Sequence, residues 1–206
     1  MLKKLVLLFI LISTSSFSQS NWKKFKKLSP SKRMWVLLHP FKAKKAQIIS
    51  EEAYRIADSI KNSPLLDGDA SGGQVDAFRH AFWMASLRQE IGKNAARSLG
   101  KAHEKENYIT YKKNKLEDGT VPDKIATTMD LFNNEIGLSL SKNNTKAAKN
   151  GLIYKVINAI HSGKLKVIKK DNNGNFLTCK NAPISQKSLK GKWENNKCLV
   201  NSNYKK

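Results

Sequence analysis

Cysteine is nearly absent from this chain: Cys179 and Cys198 are the only two in 206 residues, and both lie near the C-terminal end. No C-x-x-C pair, H-E-x-x-H run or nucleophile elbow occurs, so the familiar zinc-ribbon, metalloprotease and esterase signatures are excluded. No serine or cysteine stands beside a histidine in a triad-like setting, and covalent catalysis is not indicated. With two cysteines one pairing is possible, and closing that loop would add about 3 kcal/mol in the chain-entropy model.

Acidic residues are also scarce. Asp and Glu number 16 against 38 Lys and Arg, giving a formal charge of +22. Such an excess suits nucleic acid, an anionic envelope surface, or simple solubility. Lysine outnumbers arginine, and lysine supports non-specific attraction better than the forked recognition of phosphates and bases.

Long apolar runs are missing too. The one run present, Leu5–Ile12, is far below the roughly 20 residues that span a bilayer. Lys3 and Lys4 precede it and the small or polar stretch Ser13–Ser18 follows. This is the layout of a secretory signal peptide, residues 1–18, cut after Ser18. No cysteine follows the apolar run, so a lipid anchor is not expected. The expected product is periplasmic or extracellular, without a transmembrane span, and cleavage that removes Lys3 and Lys4 leaves +20 of the +22. Export permits a Cys179–Cys198 bridge. It also makes nucleic acid an unexpected partner and favours an anionic envelope component: lipid, lipopolysaccharide or teichoic phosphate, or peptidoglycan.

The remainder divides into a basic aromatic arm (19–48), a helical domain (49–164) and a C-terminal hairpin with a disulfide-closed tail (165–206). The expected class is mainly α, a helical bundle with a short β-hairpin. In the arm, Met34–Leu38 reads as a short helix that docks on the core or makes peripheral contact with a membrane surface. Ser50 is expected to cap a helix ending near Asn62. Further helices are expected from Gly73 to Ile91, Asn94 to Lys105, Pro122 to Leu140 and Thr145 to His161, with Glu106–Gly119 as a polar link. Asn172–Asn175 reads as the turn of a hairpin joining Leu165 and Val167 to Phe176 and Leu177. Asn201–Lys206 reads as a frayed tail.

Polar residues recur at helical spacing inside apolar segments. Asp76, Arg79, His80 and Trp83 share one face of an otherwise apolar helix. Asp130, Asn133, Asn134 and Gly137 repeat that spacing with residues of low helix propensity. His103 and Glu104 stand on the helix between. Each set has a structural reading: a charge pair orienting the core, an amide network between helices, a surface histidine favoured by a helix end. Together they suit a site built from facing helices. His80, His103 and Asp130 form a two-histidine, one-carboxylate set for a divalent metal, zinc foremost, with a position left for water. Glu104 or Asp76 would serve as general base or supporting carboxylate, Arg79 would hold an anionic group, and Asn133 and Asn134 would orient ligands.

Gly73–Trp83, Ala102–Glu104 and Met129–Gly137 resemble an uncharacterised bacterial domain family with the patterns D-A-x-R-H-A-x-W, H-E and M-D-x-x-N-N-x-x-G. The resemblance covers about residues 35–163. It implies that Asp76, Arg79, His80, His103, Glu104, Asp130, Asn133 and Asn134 belong to one site, in a family of exported and toxin-like proteins without an assigned reaction. The leading expectation is an exported, metal-assisted hydrolase of an envelope component, a lipid phosphoester or peptidoglycan. Its rivals are a non-enzymatic binding module for anionic polymers or membrane surface, and an antibacterial toxin domain.

Overall fold

The computed structural model describes residues 22–116, 121–143 and 148–205. The expected signal peptide lies outside them. Within them the chain is mainly α-helical, with a small two-stranded antiparallel sheet near the C-terminus and a Cys179–Cys198 disulfide. Among the described residues, no helix is long and apolar enough to cross a membrane.

Residues 22–27 form a short helix, α1. Next comes α2, Pro30–Leu38, opened by the Ser29 hydroxyl, which accepts from the Lys32 amide. Trp35 is the buried residue of α2, and its indole N–H donates to the Ala95 carbonyl and the Ser98 hydroxyl. The run Met34–Leu38 thus docks through Trp35, while Met34, Leu37 and Leu38 stay exposed.

Helix α3, Pro40–Lys61, corrects the expected start at Ser50. Ala46, Ile49, Ala53, Ala57 and Ile60 form one uninterrupted buried stripe, so packing favours helix on both sides of residue 50. The Ser50 hydroxyl bonds back to the Ala46 carbonyl, four residues earlier, and caps nothing. The expected boundary between arm and helical domain therefore falls inside a helix.

The centre of the bundle is α4, Gln74–Ile91, which packs against α3, α5 (Lys93–Lys112), α6 (Lys124–Leu140) and α7 (Lys149–His161). Phe78, Met84 and Leu87 on α4 are fully buried. Two apolar clusters meet on α4. One joins it to α3 and α7 through Ala57, Phe78 and Val156; the other joins it to α2 and α5 through Trp35, Met84 and Leu99. Gly137 lets α6 cross α4 closely: a Cβ there would lie 2.3 Å from the Ala81 carbonyl oxygen.

Helix α5 runs seven residues beyond the expected Lys105, because Asn107 is buried and Tyr108 and Tyr111 rest on Trp193 of the C-terminal segment. Asp123 caps α6 by accepting from the Ala126 amide, which places Pro122 just ahead of the helix. The described part of α7 begins at Lys149; residues 144–147 lie outside the described set.

The expected C-terminal hairpin is present in short form, the Asp171 amide donating to the Asn175 carbonyl and the Leu177 amide to the Lys169 carbonyl. Asp171 accepts from the Asn173 and Asn175 amides, and the flanks meet at one bridge, Lys170 to Phe176. The partner of β1, Lys166–Ile168, is instead β2, Leu199–Asn201. The disulfide is the reason, since it returns Cys198 to the sheet, where its amide donates to Leu177 and its carbonyl accepts from Lys169. A short helix, α8 (Gln186–Leu189), lies in the loop so closed. The tail is correspondingly ordered through Ser202, which is buried; its hydroxyl donates to the Ile160 carbonyl and accepts from the Leu165 amide.

Candidate metal centre

Asp76 stands in the first turn of α4, where a carboxylate is favoured by the helix dipole. Its Oδ2 accepts from the Gly72 amide at 2.7 Å, and its Oδ1 takes an Arg79 N–H at 2.6 Å. One turn on, His80 is buried at 3% exposure, deep between α4, α5 and α6. Its Nε2 lies 3.6 Å from Asp76 Oδ1 and 3.4 Å from Asp130 Oδ1 of α6.

The opposite edge of the imidazole is fixed by α5 and α6. Nδ1 faces two acceptors, Asn134 Oδ1 at 3.3 Å and Glu104 Oε1 at 3.8 Å. Glu104 is held by the Asn107 amide group at 2.9 Å and by Asn134 Nδ2 at 3.5 Å. Gly100 makes room here, since a Cβ on it would come within 3.3 Å of Asn134 Nδ2. Acceptors thus face both ring nitrogens, and the tautomer with its proton on Nδ1 is the one that satisfies this edge and leaves Nε2 as a donor of its lone pair. Burial, reinforced by the charges of Arg79 and His103, lowers the His80 pKa well below its ordinary value, while the Asn134 bond opposes this.

A neutral His80 with its proton on Nδ1 directs the Nε2 lone pair at two carboxylate oxygens. One ligand atom from each of Asp76, His80 and Asp130 lies within 4.8 Å of the others, all three residues being buried. Electron-pair donors converging in this way are reconciled by a cation, and the three residues can hold a metal ion. The surrounding charge makes this more specific. In a chain with 38 basic and 16 acidic residues, three buried carboxylates stand within 3.8 Å of one imidazole.

The eight residues singled out in the sequence do not all meet. Asp76, Arg79, His80, Glu104, Asp130 and Asn134 form one connected set. Asn133 points elsewhere: its side chain donates to the Lys166 carbonyl and accepts from the Lys166 amide, both at 2.9 Å, clamping β1 to α6. His103 lies beside the set, its ring 6.1 Å from that of His80 and edge-on to Trp83 at 5.4 Å. Burial, then the charges of Lys32 and Arg79, lowers the His103 pKa to about 3. The group of potential ligands therefore contains Asp76 where the sequence pattern offered His103. Asp76 and His80 are one turn apart, a spacing that equally suits a plain i,i+4 pair. Gly72 and Asn107, which anchor Asp76 and Glu104, carried no signal in the sequence, because one acts through its backbone and the other sits on a segment read as a link.

The chain belongs to the family described as Domain of unknown function (DUF6973), whose model matches residues 33–164. That span holds the whole connected set and leaves α1 and the disulfide-closed sheet outside. Neither the curated proteins nor the solved structures contain a match to this chain.

Proposed function

For this member of that domain family, we propose an exported, metal-assisted hydrolase acting on an anionic component of the cell envelope, a lipid phosphoester or peptidoglycan. The observation that carries the reading is the convergence of Asp76, His80 and Asp130 on one point inside a strongly basic chain. A divalent ion held there, zinc in our reading, would act as a Lewis acid and lower the pKa of bound water. Export is supported by the disulfide, and the described residues contain no membrane-spanning helix.

The chain's own residues divide the remaining work. Glu104 and Asn134 hold the His80 proton on Nδ1 and so keep Nε2 available; this favours Glu104 as a positioning carboxylate over a general base. Arg79 fixes Asp76, and its side chain keeps one-fifth of its surface exposed. Arg79 and Lys32 both act electrostatically on His103. Lys32 is paired with Glu106, so Arg79, partly exposed beside Asp76, is the group that would meet an incoming phosphate or carboxylate.

Metal analysis of the purified protein, with hydrolysis of phospholipid headgroups and peptidoglycan by the wild type, His80→Ala and Asp130→Asn, tests the reading. Bound metal and turnover, both lost in the two variants, are expected. Absence of metal even after incubation with zinc, or unchanged turnover in both variants, overturns it. The near-complete burial of His80 favours a second reading, in which the same centre only ties α4, α5 and α6 together inside a polymer-binding module. That reading predicts bound metal, no turnover, and salt-dependent polymer binding that survives both substitutions.

A further inference from the structure

The corner between α2 and α3 presents its largest side chains to solvent. Leu37 is 64% exposed, Leu38 69% and Phe41 99%, with Met34 one turn earlier on α2 also exposed. These residues are contiguous: Leu37 and Leu38 end α2, and Phe41 lies in the first turn of α3. Isolated exposed apolar residues are ordinary, but a run of large ones at one corner marks an interaction surface.

The bundle holds this corner in place without covering it. Trp35 takes the inward position on α2 and is tied to α5 by its indole N–H. His39 stacks on Trp35 at 4.7 Å, and both its backbone amide and Nδ1 lie 3.0 Å from the Trp35 carbonyl oxygen. The apolar side chains therefore stand outward on an anchored turn.

Charge identifies what the corner meets. Residues 22–50 carry nine basic side chains and not one acidic side chain. Lys32 and Lys45 are engaged by Glu106 and Glu90, which leaves a large positive excess around the turn. In α1, Trp22 stacks with Phe25 at 5.5 Å and Lys26 lies over the Trp22 ring, an arrangement of amphipathic aromatics among lysines suited to a headgroup layer. Apolar tips within a basic field match a surface that is anionic outside and hydrocarbon beneath.

We propose that the α2–α3 corner is a membrane-docking edge: Leu37, Leu38 and Phe41 enter the interfacial region of an anionic bilayer while the surrounding lysines meet its headgroups. The proposal uses none of the residues of the metal centre.

The native cysteines are joined to each other, so a single cysteine can be introduced and labelled. Phe41→Cys carrying an environment-sensitive dye is titrated with vesicles of zwitterionic lipid alone and with one-third phosphatidylglycerol. Tyr154→Cys, exposed on α7, is the control. The expected result is a blue shift at position 41 on anionic vesicles only and no shift at position 154. In parallel, the unlabelled triple variant Leu37→Ser, Leu38→Ser, Phe41→Ser, with helicity checked by circular dichroism, should lose about tenfold or more in vesicle partitioning. No shift at position 41, an equal shift at 154, or an equal shift with dissolved polyphosphate overturns the proposal. His80→Ala should leave the shift intact, so failure of the hydrolase reading and failure of this one are separable.

Discussion

His80 Nε2 and Asp130 Oδ1 stand 3.4 Å apart between α4 and α6, buried, 50 residues apart in sequence. Neither helix alone forms this pair. It exists because Gly137 lets the two helices approach to backbone contact at Ala81, the residue next to His80.

Metal removal should loosen this junction. Chelation is expected to lower the unfolding temperature, and restored zinc should recover it, because an ion bound only by the folded state stabilises that state by mass action. In Asp130→Asn the chelator should have little further effect. Differential scanning calorimetry with and without chelator measures both.

Asn133→Ala should separate the fold from the centre. The clamp on Lys166 is two hydrogen bonds from a fully buried side chain to a partly buried backbone, and its loss should cost about 2 kcal/mol. Hydrogen exchange should quicken at Lys166–Ile168, while bound metal is retained. Metal loss in this variant would place Asn133 in the centre after all.

Stability should fall with acid through His103. Its pKa is lowered from 6.5 to about 3 in the folded state. The unfolded chain binds the proton first, so the contribution is whole above about pH 6.5 and is lost progressively toward pH 3. Linkage sets the slope at no more than about 1.4 kcal/mol per pH unit for one proton. Urea titrations between pH 7 and 4 should show a shallower decline in His103→Gln than in the wild type.

Gly137→Ala should force α6 away from α4, because the added methyl meets the Ala81 backbone and not a side chain that can turn aside. The expected cost is about 1–3 kcal/mol. Since Asp130 and Asn134 ride on the same helix, weaker metal binding should accompany it, read by calorimetric titration with zinc.

Local pattern and tertiary assembly contributed differently to this protein. The helical class, the central place of Gln74–Ile91, the faces bearing Asp76, Arg79 and His80 or Asp130 and Asn134, and the single possible disulfide pairing were all legible in the sequence, because side-chain period and cysteine number are local properties. Helix ends were less legible: Ser50 is a good cap by type, yet the buried stripe from Ala46 to Ile60 overrides it. The partner of β1 was not legible, since it arrives from Leu199–Asn201 by way of the disulfide, over a separation that no turn signal spans. Nor was the division of labour within the polar stripe. Asn133 and Asn134 are adjacent and chemically identical, and the roughly 100° between successive residues on a helix sends one to the Lys166 backbone and the other to His80. The sequence by itself determined which residues share a helix face. Only the packing of α4, α5 and α6 decided that Asp76, His80 and Asp130 meet, and that His103 stands beside them, because close approach between helices depends on where small residues such as Gly100 and Gly137 allow it.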